Sequence, residues 1–236
     1  MALSATRVGR SFFLVLVIVP ALVLSGCQSE SDTPARGDAT EVKPSVAVKP
    51  KAAPSAPKEV PADAYENTAA AIEALLQAAK KSNTDDFNRA ETWLATRSDS
   101  AVAPLGKILN DEQGDLLQRI AVCRPLRKMG PAAKPVFQTA LESSSQQVQL
   151  NAIKGLGLIR PTDAEIIQIL NGYLDAEDER VRREAILALE NIGPPAKEPS
   201  TAKLIAILND TEENETLRDA ARRALDQVNP RHTFAD

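Results

Sequence analysis

The chain reads as an all-α protein built from one repeated helix pair, and three observations carry that reading. Helix-breaking dipeptides recur at Gly130-Pro131, Arg160-Pro161, Gly193-Pro194 and Asn229-Pro230, at intervals of 30, 33 and 36 residues. Before each lies an apolar stripe at helical spacing. Leu126, Leu156, Leu189 and Leu225 are followed three residues on by Met129, Ile159, Ile192 or Val228. They are preceded at four and eight residues by Val122, Ala152, Ala185 and Ala221, then Gln118, Val148, Val181 and Leu217. Finally, Ile108-Leu109-Asn110-Asp111 recurs 99 residues later as Ile207-Leu208-Asn209-Asp210, three repeats averaging 33. No segment alternates in polarity as a half-buried strand does.

The elements follow in chain order. Met1 to Arg10 holds Arg7 and Arg10 without an acid, and Phe12 to Leu24 is apolar apart from Pro20. These are the charged and hydrophobic regions of a secretory signal, too short to span a bilayer, which takes about 20 residues. Leu24-Ser25-Gly26-Cys27 resembles the lipobox of bacterial lipoproteins. That resemblance implies a signal peptide over 1–26, cleavage before Cys27 and a covalent lipid on its sulfur. The expected address is the cell envelope, lipid-anchored. Gln28, rather than Asp, after the cysteine favours the outer membrane facing the periplasm in a Gram-negative cell.

Residues 27–62 read as the lipidated cysteine and a disordered tether. Between Gln28 and Ala62 there is no Leu, Ile, Met or aromatic residue, and Pro34, Pro44, Pro50, Pro54, Pro57 and Pro61 recur among Ala, Lys, Ser and Glu. Such a segment cannot bury enough apolar area to offset ordering. Its reach is roughly 30 Å as a flexible coil and at most about 100 Å when fully polyproline-like. Residues 63–100 read as an N-terminal helical cap closed by Phe87, Trp93 and Leu94, residues 101–229 as the repeats, and 230–236 as a flexible tail. Each stripe-bearing helix is preceded by another: Ile108-Leu109, Ala140-Leu141, Ile169-Leu170 and Ile207-Leu208 mark these first helices. Thr162 with Glu165 reads as a capping box for the third of them.

Val181-Arg182-Arg183-Glu184-Ala185-Ile186-Leu187-Ala188-Leu189-Glu190-Asn191-Ile192-Gly193 resembles the second helix of a HEAT repeat, in particular the HEAT-like subtype named after phycobilisome lyases. Val148 to Ile159 and Leu217 to Leu225 match less fully. The resemblance implies an α-solenoid of about five HEAT-like helix pairs whose second helices line a concave face. Two positions depart from it: Gln118 stands where the stripe wants an apolar side chain, and Pro125 falls inside its helix, where it should bend it. Trp93-Leu94 fits the tetratricopeptide period, but the later Gly, Tyr and Pro of that pattern are missing.

Composition narrows the chemistry. Without Arg7 and Arg10 the chain keeps 26 basic residues against 32 acidic, a net charge of −6, which disfavours nucleic acid as a partner. His232 is the only histidine, and Cys123 the only thiol besides Cys27. No zinc site of ordinary spacing, phosphate-cradling loop or nucleophile elbow follows, so no catalytic residue, metal or cofactor is expected beyond the lipid. Cys123 reads as a small core residue. Asp175, Glu177, Asp178 and Glu179 read as caps and helix-dipole partners at a turn. The HEAT-like resemblance also suggests bilin attachment or removal, an intracellular chemistry that export through a lipobox disfavours.

With the leucines aligned, Arg119, Gln149, Arg182 and Arg218 share a column beside the stripe. The family implies a structural arginine ladder there, with Asp175 and Asp210 as candidate acids. Opposite the stripe, two columns read Ile120, Leu150, Arg183, Asp219 and Arg127, Gly157, Glu190, Asp226, with Arg124, Lys154, Leu187, Arg223 oblique to them. The candidate site for an unidentified, acidic protein partner is therefore Ile120, Arg124, Arg127, Leu150 and Lys154. The function expected is a membrane-anchored, non-enzymatic scaffold or adaptor. Replacing Cys27 with Ala should abolish metabolic fatty-acid labelling of the protein. Label that persists in the variant refutes the lipid anchor.

Overall fold

The structure, a computed structural model, describes residues 60–231. Cys27, the tether up to residue 59 and His232 lie outside the described residues. Five helix pairs follow one another: α1 (Thr68–Lys80) with α2 (Thr84–Ala95); α3 (Ser98–Leu109) with α4 (Leu116–Ala121) and α5 (Cys123–Lys128); α6 (Lys134–Ala140) with α7 (Gln146–Leu158); α8 (Ala164–Gly172) with α9 (Glu179–Ile192); and α10 (Lys197–Asn209) with α11 (Glu215–Val228). There is no strand among the described residues. The second helices stack in series, α4 and α5 on α7, α7 on α9 and α9 on α11, with the first helices packed along one side. This is a HEAT-like α-solenoid.

Local chemistry explains where the helices start and stop. Asn67, Asn83, Asp115, Asp163, Asp178 and Asn214 stand at N-caps, and each side-chain oxygen accepts a backbone N–H of the first turn. The cap of α8 is Asp163, accepting from Ile166 N at 2.9 Å, rather than the Thr162 expected from the capping-box pattern. Glu165 instead turns outward to Lys134, 2.6 Å away. After α5 and α9 the chain turns at Gly130 (φ 62°) and Gly193 (φ 71°), values that disfavour any side chain, and the following prolines open the next first helix. Pro125, expected to bend its helix, interrupts it instead. The second helix of this pair is interrupted at Val122, three residues before it, because a proline cannot donate to the carbonyl four residues back.

The predicted stripe is the core. Leu126, Leu156, Leu189 and Leu225 are completely buried, as are Val122, Ala152, Ala185 and Ala221; each leucine contributes about 2 to 3 kcal/mol by leaving water. Gln118, at the head of the first stripe, is half-buried. The helices approach most closely at glycines. A Cβ built on Gly157 would lie 2.5 Å from the Ala188 Cβ, and one on Gly155 would lie 2.6 Å from the Phe137 ring.

The two ends are closed differently. At the N-terminus Phe87, Trp93 and Leu94 are buried, and Trp93 Nε1 donates to the Ala62 carbonyl at 2.9 Å. Glu91, buried on α2, receives Arg124 at 2.8 Å and Lys128 at 3.3 Å from α5, tying the hairpin to the first repeat. At the C-terminus α11 shows solvent Arg222 and Asp226, both exposed, at the positions where Ile153 and Gly157 of α7 are buried, so this end carries charge where the earlier repeats carry contact.

Gly157→Ala should destabilise the fold by about 1 to 3 kcal/mol, because α7 and α9 must separate. Gly172→Ala meets no atom within 4 Å and should be neutral or stabilising by up to about 1 kcal/mol. Leu189→Ala should cost about 2 to 5 kcal/mol. Urea unfolding of the three variants checks the order.

Candidate functional site

The exposed face of the second-helix layer is a grid of four helices by four positions. Its columns are Leu117, Gln147, Arg180, Thr216; Ile120, Leu150, Arg183, Asp219; Arg124, Lys154, Leu187, Arg223; and Lys128, Leu158, Asn191, Gln227. None of these sixteen residues is buried. Six are basic, five are large and apolar, and one, Asp219, is acidic. Residues 60–236 as a whole carry 21 basic against 27 acidic residues, so this face runs against the charge of the domain. Leu117 is 49% exposed and Leu158 38%, while Ile120 and Leu150 are half-buried, Leu150 with one flank against the core. The face therefore combines apolar area with cations, as recognition surfaces do.

The predicted site residues are divided by their surroundings. Lys154 is exposed and has no ion-pair or hydrogen-bond partner among the described residues. Arg124 lies on the face but is engaged: beyond Glu91 it donates to Asn88 at 3.2 Å and sits 4.8 Å from the Phe87 ring centre. Arg127 belongs to the seam between helices, donating to Asn151 at 2.6 Å, and burial lowers the pKa of its guanidinium. Its aligned partner Gly157 is buried against Ala188, so the column expected opposite the stripe is interhelical contact rather than open surface. A second helix in a stack has three neighbours, its own first helix and a second helix on either side, and only the remaining quarter is free. Arg180, Arg183, Leu117 and Leu158 were not among the predicted site residues. Their positions nine residues before, six before and two after each stripe leucine were the available signal.

The arginine column is a ladder, with other acids than expected. Arg119 is 3% exposed; it donates to the Leu109 carbonyl at 2.9 Å, to Glu112 at 2.6 Å and to Ser143 of the next repeat at 2.8 Å. Gln149 donates to the Leu141 carbonyl at 3.1 Å. Arg182 takes the Ala176 and Glu177 carbonyls and reaches Glu213 of the next repeat at 2.9 Å. Arg119 and Gln149 thus tie the end of their own first helix, Arg182 ties the turn that follows its own first helix, and both arginines also reach the turn of the next repeat. Asp175 pairs instead with Lys203. Arg218, the last rung, has a buried Nε without a partner. Hydrogen bonds from Ser144, Ser143 and Arg119 lower the Glu112 pKa to about 2. A depressed carboxyl pKa stabilises the fold above the ordinary carboxylate range, and that contribution is lost as pH falls toward 2.

These turns line one edge with carboxylates. Residues 110–115, 141–145, 175–179 and 209–215 contain twelve Asp and Glu and no Lys or Arg. Asp115 and Asp178 serve as caps, and Glu112, Asp175 and Glu213 hold cations. Glu142 and Glu177 are exposed, with no ion-pair partner among the described residues. No cluster of three or more metal-ligating side chains occurs among the described residues. Cys123 is fully buried, and burial pushes its thiol up to about 11, which makes it a packing group.

Residues 133–226 match the HEAT-repeat family model. No curated protein matches the sequence. Among solved structures, a chain from the complex of CpcE and CpcF of phycocyanin lyase from Nostoc sp. PCC7120 aligns at a TM-score of 0.53 and 21% identity, over 66% of this chain and 98% of that one. At that identity the likeness concerns fold alone. An engineered protein aligns at 0.42 and 22% identity, over 66% and 78% of the two chains. A computationally designed armadillo repeat protein for modular peptide recognition aligns at 0.41 and 19%, over 66% and 81%.

The ladder predicts a contrast. Arg182→Met should cost about 2 to 3 kcal/mol, because it removes hydrogen bonds to carbonyls and a carboxylate. Arg218→Met should cost less than half of that, since the last rung has fewer partners to lose. Equal losses in thermal unfolding would contradict the repeat-to-repeat role.

Proposed function

We propose that this protein is a lipid-anchored, non-enzymatic scaffold that holds a protein partner on the exposed face of its second-helix layer. The observation that carries the reading is the charge reversal of that face: six cations and one acid around five apolar residues, on a domain with an acidic excess. Exposed leucines on a solvated helix face add nothing to folding, whereas a partner that covers them gains their desolvation. The cations would steer an acidic partner and set its register. Anchoring through Cys27 belongs to the same proposal and would keep the complex at the envelope membrane. The phycocyanin lyase complex shares the fold. A bilin-handling role would require chemistry that none of the residues described above suggests.

Lys154→Glu combined with Leu158→Ser tests the face, because both side chains are exposed and neither replacement should change stability by more than about 0.5 kcal/mol. Crosslinking in intact cells should yield a dominant adduct with the wild-type chain that falls about tenfold or more in the double variant. An unchanged adduct at an unchanged midpoint removes this face from the proposal.

A further inference from the structure

Resting on the reading that the second-helix face binds protein, we propose that its occupant is the acidic turn edge of a second copy of this chain. Three observations lead there. The complement in charge is already present in the molecule: the turn edge bears twelve carboxylates, three of them paired with Arg119, Lys203 and Arg182, and the face bears six cations, two of them paired with Glu91, with one carboxylate. The two surfaces also share a period. Turns and second helices belong to the same repeats, so both advance by the spacing of neighbouring helices, about 8 to 10 Å. Once Glu142 of one copy meets Lys154 on another, Glu177 in the next turn comes to α9, where Arg183 stands one helical turn from the Lys154 register. Finally, the edge carries an apolar group. Leu116, 46% exposed beside Asp115, lies one turn before Glu142 and can rest against Leu117 and Ile120 of the opposing face.

The contact joins two different surfaces, so each copy keeps one free face and one free edge, and assembly continues unless it closes into a ring. It is also electrostatic at close range. Screening acts over about 10 Å at 0.1 M salt and about 3 Å at 1 M, and the acidic excess of each domain opposes approach where faces and edges are out of register.

Full-length protein in detergent, studied by sedimentation velocity, tests this directly. Wild-type chains should form concentration-dependent dimers and larger species near 0.05 M salt and dissociate near 1 M. A face variant, Lys154→Glu with Arg183→Glu, and an edge variant, Glu142→Lys with Glu177→Lys, should each lose about tenfold or more in self-association. Mixed together they should not restore long assemblies, but the intact edge of the first and the intact face of the second should form a discrete complex of one of each. Circular dichroism melting confirms that both fold. A wild type that stays monomeric at low salt, or a mixture that forms no such complex, overturns the proposal. A photocrosslinker at position 154 in intact cells separates the two readings. Adducts with the chain itself support the second copy. Adducts with a different protein alone overturn it and leave the binding face standing, and no adduct at all overturns both.

Discussion

Close stacking of the second helices is the constraint from which the rest of this structure follows. At Gly157 and Ala188 the backbones of α7 and α9 approach so closely that one added methyl would meet another at 2.5 Å. That approach lets the leucine stripe of each helix be covered from three sides and reach complete burial. It also decides what is left over. A helix with neighbours on three sides has one narrow strip free, and the free strips of successive helices align into a continuous surface. A looser stack would have buried less leucine and exposed a wider, less ordered face.

Polar groups reinforce the same arrangement at its margins. The ladder supplies donors from Arg119 and Gln149 to carbonyls at the C-terminal ends of first helices and from Arg182 to carbonyls of the turn after α8, and the two arginines extend to the next turn. Because those turns also hold the N-caps of the second helices, acids concentrate there, where they accept backbone N–H groups and face the positive end of the helix dipole. The acidic edge is thus in part a by-product of capping. The cations of the second-helix face have no comparable structural use, apart from Arg124 and Lys128 around Glu91, and this asymmetry is what makes the face a functional candidate rather than ordinary solvated surface.

The ends of the stack show how a solenoid stops. Trp93, capped by the Ala62 carbonyl and faced edge-on by Tyr65, closes one end with apolar bulk. Arg222 and Asp226 close the other with charge, and the Nε of Arg218, the last rung among the described residues, is buried without a partner. Lateral contact through the face and edge is therefore open to this protein in a way that apolar end-to-end stacking is not.

The sequence by itself determined the helix pair, its period and its core, because leucine spacing and Gly-Pro punctuation are local signals that survive any packing. It likewise marked Pro125 as a disturbance of its helix, expected as a bend and found as an interruption at Val122. What it could not decide is what each side chain meets across a helix boundary. Arg127 and Gly157 sit opposite the stripe on a helical projection, yet a neighbouring helix covers them. Arg124 looks like a free cation until Glu91, 33 residues away in sequence, is brought beneath it. Glu112 and Glu213, not Asp175 and Asp210, hold the ladder, since only the path of each turn sets which carboxylate arrives. Periodicity reports the angle of a residue around its own helix, whereas exposure depends on the positions of three other helices, and those are fixed only when the repeats stack.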